Sequence, residues 1–454
     1  MRKVYFGLPK YESEWKVSLS GVSPPTGPTY LYSFARNMNF GNYDFGRCFD
    51  FSIHDEEGLF NELRAGDLVC LSALVTNYKN IVDFSKRAKS KGVNVAIGGP
   101  WATVKAKQIQ TNQPHIDYIV CGEGEGALED ILLDRANKGI IRKRNPPICS
   151  LPPVDFSGWS QEDLELYQKN YKKMIETGAY GKVPESIPFF VFYQSSRGCT
   201  QKPRCGFCGS RLGEEYATRT DEQFYQDIEK VVSQISPTNR RIHIFDCSDS
   251  FTSGVDRFRE HKLVSGVTYT VFAKADEVNE KRAKAVRNLG VTKVSIGIET
   301  GSDESLRKVG KNLDSIAKHL EVVKMLKDNG ISVYVNLLYG LPDETPEQIE
   351  RTIDHFADLA KEGNIYRVAG RIVTPLPNAR WYFQLLNKIG QANPRLKKEI
   401  DDSDSVNVSS IIDLWLREMT NLKIKDIELV HSRLVSIAKQ SGISLSSEYP
   451  RGLA

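Results

Sequence analysis

Short apolar runs alternate with helix-length amphipathic stretches over the first 135 residues of the chain. The runs that predict strands are Lys3–Leu8, Asp67–Leu74, Val93–Gly98 and Ile116–Cys121. Helical spacing is seen at Pro28–Asn37 and Tyr78–Lys91, and again after the last run as far as Leu133. Strands separated by helix-length segments indicate βαβ units and a parallel sheet. We therefore predict a doubly wound (Rossmann-like) α/β domain over residues 1–140, with ligands bound beyond the carboxyl ends of its strands.

The same alternation returns, with a longer repeat, from residue 189. The six predicted strands are Phe189–Gln194, Arg241–Asp246, Thr268–Lys274, Lys293–Glu299, Val333–Tyr339 and Arg367–Val373. The helical patterns between them include Asp221–Ile235, Glu280–Leu289, Asp314–Asn329 and Thr345–Leu359. Six βα units are too few to close an eight-stranded barrel, so residues 189–375 are predicted to form an open, partial (β/α)6 TIM-like barrel. In such barrels the chemistry lies at the carboxyl ends of the strands.

Two segments depart from these patterns. Residues 141–188 contain six prolines, which interrupt both helical and strand spacing, and we predict a linker there. Residues 376–454 lose the strand pattern and show helical spacing at Ile411–Leu422 and Asp426–Gln440, so a small, mostly helical C-terminal region is predicted.

Composition narrows the class of protein. With 40% apolar and 26% charged residues the chain is typical of soluble globular proteins. Basic residues exceed acidic ones by only four, so no nucleic-acid partner is indicated. No apolar run reaches the length of a membrane span, and the apolar stretch at the N-terminus is too short for a signal peptide. We therefore expect a cytoplasmic protein whose eight cysteines are thiols or metal ligands. Cys70 and Cys121 lie in apolar runs and are expected to be buried packing residues.

Three cysteines share one short loop directly after the first strand of the second domain. Cys199, Cys205 and Cys208 have the spacing C-x5-C-x2-C. Closely spaced cysteines in one loop are typical of iron–sulfur proteins. Three thiolates leave one of four irons open to another ligand. A structural zinc site normally has four protein ligands, and no His or further Cys is close in sequence, so a zinc loop completed from elsewhere is the alternative.

This loop resembles the signature of the radical S-adenosylmethionine (SAM) superfamily, C-x3-C-x2-C with an aromatic residue before the last Cys. Phe207 matches that aromatic residue, and Arg197-Gly198 matches the common residues before the first Cys. Two extra residues separate the first and second cysteines, so the loop must bulge there. The resemblance covers roughly residues 189–380 and includes polar motifs at the later strand ends. It implies SAM contacts at Phe207, Asp246, Ser248, Asp249, Lys274, Glu299, Asn336 and Leu341.

The resemblance also implies a chemistry. A 4Fe-4S cluster with one open iron chelates SAM, one electron breaks the sulfur–carbon bond, and the resulting 5′-deoxyadenosyl radical removes hydrogen from an unactivated carbon. In such enzymes the cofactor performs the difficult step, and the protein provides binding, orientation and exclusion of water. Glu299, at the end of its strand, matches the residue that typically contacts the SAM ribose, and Gly340-Leu341-Pro342 resembles the turn near the adenine.

The N-terminal domain resembles that of cobalamin-binding radical SAM proteins, through Ser23-Pro24-Pro25-Thr26-Gly27 and the glycine-rich strand ends. The resemblance implies cobalamin contacts at Pro25, Thr26, Gly27, Ser72, Leu74, Val75, Thr76, Gly98, Gly99, Pro100, Gly122, Glu123 and Gly124. Glycines at strand ends allow a ligand to approach the backbone closely. No Asp-x-His-x-x-Gly motif is present, and neither His54 nor His115 fits one, so cobalamin is expected without a His ligand and with Val75–Asn77 near its lower face. The alternative is a domain whose glycines are ordinary turns.

Taken together, the resemblance implies a cobalamin-dependent radical SAM methyltransferase that moves a methyl group from methylcobalamin to an sp3 carbon. A 4Fe-4S cluster, SAM and cobalamin would be its cofactors, and a flavodoxin- or ferredoxin-type protein its electron donor. A peptide or protein substrate is expected from this branch of the family. The alternatives are a radical rearrangement or cyclisation, a cobalamin-independent radical SAM enzyme, and a non-enzymatic zinc protein. Four aromatic residues could line a pocket but are expected to be core: Tyr180, Tyr193, Trp381 and Tyr382.

Overall fold

A computed structural model describes residues 1–12, 19–38, 40, 43–144, 146–177, 186–209, 215–235, 241–311, 313 and 315–446 of the chain. Two parallel sheets dominate this part of the chain, one in each half. Both were predicted from the alternation of apolar runs and helical stretches. None of the helices in these ranges combines the length and apolarity that crossing a lipid bilayer requires.

The N-terminal sheet has six parallel strands in the order β2-β1-β3-β4-β5-β6. The strands are β1 (Arg2–Leu8), β2 (Tyr43–Asp50), β3 (Leu68–Ser72), β4 (Asn94–Gly98), β5 (Tyr118–Cys121) and β6 (Gly139–Arg142). The helices are α1 (Thr26–Asn37), α2 (Glu56–Glu62), α3 (Tyr78–Ser90), α4 (Pro100–Asn112) and α5 (Glu125–Leu132). Alternate side chains of β1 enter two separate cores: Val4 and Phe6 pack with residues of α1 and α5, and Tyr5 packs with residues of α3. The predicted doubly wound domain is therefore confirmed.

The strand order of this sheet reverses beside β1, whose neighbours are β2 and β3. At such a switch point the loops after adjacent strands diverge to opposite faces and leave a crevice where ligands bind. The predicted ligand loops after β3, β4 and β5 all reach this edge of the sheet.

The second sheet has seven parallel strands in the order β15-β14-β13-β12-β11-β10-β7. They are β7 (Phe189–Tyr193), β10 (Ile242–Asp246), β11 (Val267–Ala273), β12 (Val291–Glu299), β13 (Ser332–Tyr339), β14 (Ile365–Ile372) and β15 (Ser444–Leu445). A short antiparallel pair, β8 (Ser196–Arg197) and β9 (Ala217–Thr218), follows β7. Its helices are α7 (Asp221–Ile235), α8 (Phe251–Gly254), α9 (Glu280–Asn288), α10 (Asp303–Val309), α11 (Ala317–Asp328) and α12 (Pro346–Glu362). The sheet curls into a half-barrel, as the six predicted βα units require.

Burial along the strands distinguishes the two faces of the half-barrel. In β13 the fully buried Val333, Val335 and Leu337 alternate with the half-buried Tyr334 and Asn336. The fully buried set packs in the core with the helices, so the half-buried set lies on the concave face. A two-residue period of this kind is what one covered and one open face produce.

Several elements of the described chain were not predicted, and three of them illustrate why. The segment predicted as a linker contains α6 (Gln161–Glu176), which begins at a capping box of Ser160 and Asp163. Strand β2 was not predicted, because its sequence, YDFGRCFD, mixes charged residues and glycine with the apolar positions. Strand β15 is only two residues long and pairs with β14 at the edge of the sheet.

The C-terminal region is helical, as predicted, with α13 (Arg380–Ala392), α14 (Pro394–Asp402), α15 (Val408–Met419) and α16 (Ile424–Gln440). It also fastens to the N-terminal domain. Side chains of α4 donate hydrogen bonds to the last carbonyls of α14: Lys105 to Ile400, Gln108 to Asp401 and Asn112 to Asp402. The final carbonyls of a helix have no partner within it, so this row of α4 supplies the missing donors.

Candidate functional site

The three-cysteine loop lies between the carboxyl end of β7 and helix α13. The backbone N–H of Gly206 donates to the Val309 carbonyl at 3.1 Å, and the Trp381 N–H donates to the Gly206 carbonyl at 3.0 Å. A Cβ added to Gly206 would lie 2.1 Å from the indole nitrogen of Trp381. The loop thus closes against α13 only because a glycine stands between Cys205 and Phe207.

The donors in this loop fit an iron–sulfur cluster. The Gln201 N–H and the Ser250 hydroxyl point at the Cys199 sulfur, at 3.4 and 3.5 Å. Donors to sulfur favour a thiolate ligand and tune a cluster. Burial raises the pKa of the Cys205 thiol to about 12, although the positive charge of Lys311 opposes this shift. Within the described ranges, no three His, Cys, Asp or Glu side chains lie close enough together to hold a metal ion.

A buried ion pair lies beside the loop. Lys311 donates to Glu299 Oε1 at 2.6 Å and to the Gly297 carbonyl at 2.5 Å, and both side chains are 8% exposed. Burial opposes the charge on Lys311, but Glu299 and the Cys205 thiol keep the pKa of this lysine above its usual value. Glu299 itself has a left-handed φ of 64° at the end of β12. Residues held in this sparsely populated region cluster at functional sites. Lys311 was not predicted as a site residue. It follows a glycine that ends a helix, and this local sequence does not indicate which strand end the lysine side chain reaches.

Asp246 and Ser248 join the end of β10 to the backbone before the cysteines. Asp246 Oδ1 accepts from the N–H groups of Ser195 and Ser248, and Ser248 Oγ accepts from the Ser196 N–H at 2.8 Å. Asp246 Oδ2 is buried without a hydrogen-bond partner. Burial raises the pKa of this carboxyl, which the accepted hydrogen bonds oppose. An orphaned carboxylate oxygen at a strand end fits a site for an ammonium group.

The other predicted SAM contacts lie around the same rim in different settings. Lys274 pairs with Glu277 at 2.7 Å, and Thr200, next to Cys199, donates to the same glutamate. Asn336 donates to Ser295 Oγ on the concave face, and Phe207 packs against the Trp381 ring at 5.9 Å. Two predicted residues differ in exposure: Asp249 is exposed, whereas Leu341 is fully buried.

A cavity of about 410 Å³ lies where the two domains meet. The predicted cobalamin residues that line it are Pro25, Thr26, Gly27, Ser72, Leu74, Gly98, Gly99, Pro100, Gly122, Glu123 and Gly124. Phe192, Gln194, Arg197 and Cys247 line its opposite side, and these four were not predicted as cobalamin contacts. Strand ends that are far apart in sequence thus lie around one cavity. They do so because β1, β3, β4 and β5 are parallel and end at the same edge of the sheet.

Backbone shape at the cavity fits close approach by a ligand. Gly99 has a φ of 92°, and an added Cβ would lie 3.1 Å from the Ala73 carbonyl oxygen. A side chain at Gly27 would approach the Ser72 hydroxyl at 3.5 Å. The positive φ therefore requires glycine at position 99. Because glycine has no side chain, a ligand can approach the backbone closely at this strand end.

Val75 and Thr76 do not line the cavity, although they were predicted among the cobalamin contacts. The reason is the turn that follows β3. Asn77 is completely buried; its side chain accepts from the Leu74 N–H and donates to the Ser72 carbonyl. These bonds turn the chain into α3 directly after Leu74. His54, in turn, hydrogen-bonds Asp163 at 2.7 Å and stacks on Trp159, away from the cavity.

A second buried ion pair joins the domains at the cavity. Arg197 donates to both carboxylate oxygens of Glu125, at 2.6 and 3.2 Å, and lies 3.5 Å from Glu123. Arg197 is two residues before Cys199, and Glu125 is the first residue of α5. This ion pair therefore joins the residues just before the cysteines to the glycine-rich turn after β5. The sequence analysis assigned these two segments to different cofactors.

The edge of the second sheet is also covered by the N-terminal domain. Ser23 Oγ accepts from the Phe192 N–H at 2.9 Å, and the Tyr30 hydroxyl bonds both backbone groups of Gln194. Tyr193, Trp381 and Tyr382 are buried core residues, as expected; Tyr180 lies outside the described residues. Cys70 and Cys121 are buried, as predicted.

Comparison with known proteins agrees with this arrangement. A family model for the radical SAM superfamily matches residues 193–356, and one for the B12 binding domain matches residues 18–132. The uncharacterized methyltransferase PH0819 of Pyrococcus horikoshii is 27% identical over 410 residues, 85% of this chain and 84% of that protein. The anaerobic magnesium-protoporphyrin IX monomethyl ester cyclase of Rubrivivax gelatinosus is 23% identical over 85% of this chain and 70% of its own length.

Among solved structures, the radical SAM methyltransferase TsrM from Kitasatospora setae, with cobalamin and a 4Fe-4S cluster bound, has a TM-score of 0.62 at 14% identity. The match covers 86% of this chain and 78% of that one. It supports the fold: a doubly wound domain followed by a partial barrel. The domain matches confirm the expected cofactor classes, SAM with a 4Fe-4S cluster and cobalamin. The chain is therefore an enzyme that joins a B12-binding domain, over residues 18–132, to a radical SAM domain, over residues 193–356.

Proposed function

We propose that this enzyme transfers a methyl group to an unactivated sp3 carbon, in a cobalamin-dependent reaction. The observation that carries the proposal is the shared cavity. Gly99 and Gly124 of the B12-binding domain line one side, and Phe192 and Cys247 of the barrel line the other. A methyl donor in that cavity would face the strand ends that surround the cluster loop. Resemblance to this branch favours a residue of a peptide or protein as the methyl acceptor.

The chain's residues would divide the work between the two domains. When bound, SAM on a 4Fe-4S cluster supplies a carbon radical that removes hydrogen, and methylated cobalamin supplies the methyl group. Cys199, Cys205 and Cys208 would hold the cluster. Glu299 would orient SAM, supported by the Lys311 ammonium at 2.6 Å.

The remaining predicted SAM contacts would complete that site. The free oxygen of Asp246 would accept from the SAM ammonium, since it has no partner among the described residues. Ser248 and Lys274 would keep the strand ends in register with the loop, and Asn336 would contact SAM from β13. The eleven predicted residues that line the cavity would contact cobalamin. Electrons would come from a flavodoxin- or ferredoxin-type donor.

The first experiment tests the cluster. The protein is purified without oxygen, reconstituted with iron, sulfide and hydroxocobalamin, and analysed for iron and cobalt. We expect about four irons and one cobalt per chain. Cys208→Ala should lose iron and all SAM cleavage but keep cobalt, whereas Cys149→Ala, outside the loop, should keep both. Cobalt without iron in the wild-type protein would contradict the proposal.

The second experiment tests the cavity. Gly99→Ala forces a side chain into a left-handed backbone against the Ala73 carbonyl, so cobalamin loading should fall while iron content stays unchanged. Gly58→Ala is the matched control, because its added Cβ meets no atom within 4 Å in the same domain. Equal cobalt content in the two variants would argue against this location for the cofactor.

Products then identify the reaction. Methyl transfer by this scheme yields both 5′-deoxyadenosine and S-adenosylhomocysteine, because SAM is used as radical source and as methyl source. A second candidate is a radical cyclisation or rearrangement, which the similarity to a cyclase over 85% of this chain favours. That reaction would yield 5′-deoxyadenosine without S-adenosylhomocysteine.

A further inference from the structure

The concave face of the half-barrel has an aromatic side and a basic side. On β7, β10 and β11 the half-buried rings of Phe192, Phe245 and Phe272 form a continuous row, with centroids 6.0 and 5.2 Å apart. On β12–β14 the same face presents Lys293 and Arg367. Helices cover the other face of these strands, so both sets face the bore, where Phe192 and Phe245 also pack against an apolar cluster that includes Tyr171 and Ile175 of α6.

Lys293 is the unusual member of this face. Its ammonium lies 4.8 Å from the centre of the Tyr366 ring, and no carboxylate in the described chain pairs with it. Two other basic groups are near it instead. Burial lowers its pKa, and the positive charge of Arg367 lowers it further. Burial lowers the pKa of His243 to about 3, and the positive charge of Lys293 contributes to this shift.

Lys293 is half-buried, and three other lysines with buried side chains all have oxygen partners. Lys274 pairs with Glu277, Lys311 pairs with Glu299, and Lys105 donates to the Ile400 carbonyl. Lysine is seldom buried without a partner, because an uncompensated charge loses its hydration. Neighbouring Arg367, by contrast, donates to Ser446 and stacks over the Tyr334 ring.

Sheet register connects Lys293 to the cofactor cavity. Phe192 pairs with Phe245, Phe245 with Thr270, and Thr270 with Lys293, so these residues form one row across four strands. Three strand spacings amount to about 14 Å along the sheet. Phe192 also lines the cavity between the domains. A ligand anchored at Lys293 therefore reaches the cavity if it crosses this row.

We infer that the bore binds a substrate with a flat apolar part, which lies on Phe245 and Phe272, and an anionic group, a carboxylate or phosphate, which pairs with Lys293. The inference rests on the proposed function in one respect, that the bore is the substrate site. The anion supplies the counter-charge that the protein omits, and the aromatic row supplies apolar contact area. The anionic group could belong to a free small molecule or to an acidic peptide side chain.

Two acid–amide pairs of probes test this, without turnover. Naphthalene-2-carboxylate and naphthalene-2-carboxamide represent the free molecule; acetyl-Trp-Glu-amide and acetyl-Trp-Gln-amide represent the peptide. Binding to the cofactor-loaded enzyme is measured by anaerobic calorimetry. In at least one pair the acid should bind about tenfold or more tightly than its amide, because a hydrogen bond between charged groups contributes more binding free energy than one to a neutral amide. The pair that discriminates identifies the source of the anion.

Variants then locate the anion site. Lys293→Met should abolish the preference for the acid, and Lys293→Arg should retain most of it. Lys284→Met, at an exposed position on α9, should leave it unchanged, and iron and cobalt content should not differ among the variants. Equal binding of acid and amide, no binding of any probe, or a preference that survives Lys293→Met overturns the inference. Failure of methyl transfer with this preference intact would instead reject the proposed reaction.

Discussion

Buried charges around the cluster loop and on the concave face are arranged in opposite ways. Near the loop two buried cations have acidic partners: Arg197 with Glu125 at 2.6 Å, and Lys311 with Glu299 at 2.6 Å. On the concave face the half-buried Lys293 lies over the Tyr366 ring and near Arg367 and His243. The two pairs balance their own charges, whereas Lys293 has no acidic partner among the described residues.

The difference has an energetic meaning. Breaking a buried pair leaves one charge without compensation and costs several kcal/mol, whereas removing a charge that has no partner relieves a cost already present. The pairs near the loop thus hold the elements that carry the cofactors. At Lys293 the folded protein tolerates a desolvation penalty, as proteins commonly do at functional sites.

The largest expected effect is at the junction between domains. Arg197→Met should lower the free energy of unfolding by about 3–5 kcal/mol, because the carboxylate of Glu125 remains buried without its partner. Thermal and urea midpoints of the apoprotein measure this. The double variant Arg197→Met/Glu125→Met should recover most of the loss. A midpoint unchanged in the single variant would contradict the view that this pair holds the junction.

Glu344 provides an intermediate case, a buried acid with one oxygen bonded to backbone N–H groups and the other without a partner among the described residues. It accepts from the N–H groups of Gly340 and Leu341, and burial raises its pKa to about 7 from the ordinary value of 4.5. Between these two values the folded chain keeps a proton that the unfolded chain has released. The free energy of unfolding should therefore fall as pH rises through this window, by about 3 kcal/mol.

Glu344→Gln isolates that contribution, because glutamine keeps an acceptor oxygen but does not titrate. Urea midpoints of wild type and variant are compared at pH 5 and pH 7.5. The variant should lose less stability than wild type over this interval. Parallel curves would show that Glu344 ionises in the folded state as readily as in water.

Lys293→Met should have the opposite sign from Arg197→Met. Without substrate the variant should be more stable than wild type by about 1 kcal/mol, because a desolvated charge is replaced by an apolar side chain of similar length. Since its folded pKa is below the ordinary 10.5, wild type releases this proton at lower pH when folded. Wild-type stability should thus rise as pH approaches 10.5, and the variant should lack this rise. Destabilisation by Lys293→Met would break the comparison.

The smallest effect sets the baseline. Lys284 on α9 pairs with Glu280 at 3.0 Å, with both side chains more than half exposed. Water screens this pair, so Lys284→Met should change the free energy of unfolding by no more than about 0.5 kcal/mol. A larger change, measured by the same midpoints, would mean that methionine itself, and not lost charge pairing, explains the other variants.

Local patterns predicted the elements well where period and length agreed. All six barrel strands lie within a few residues of their predicted bounds, because apolar runs between helical stretches are the direct consequence of a parallel sheet. Strand β2 and helix α6 were missed for local reasons. Charges inside β2 mask its apolar positions, and prolines around α6 hide a helix that begins and ends between them.

Site residues divide in the same way. Cys199, Cys205 and Cys208 could be predicted as cluster ligands because all three lie within one loop. Eleven of the predicted cobalamin contacts line the observed cavity, since strand ends of a parallel sheet share an edge. Val75 and Thr76 fall outside it because Asn77 turns the chain away, and this depends on hydrogen bonds that spacing does not reveal.

The amino-acid sequence by itself determined the two α/β domains, the order of the strand ends and the cluster loop, because periodicity and short spacing are local properties. Only the tertiary structure decided that Arg197 meets Glu125, that Lys311 reaches Glu299, and that Lys293 faces the bore without a counter-charge. Such facts depend on which strands are neighbours and how far the sheet curls. Contacts between charges distant in sequence are fixed by packing of whole elements, and no local pattern records them.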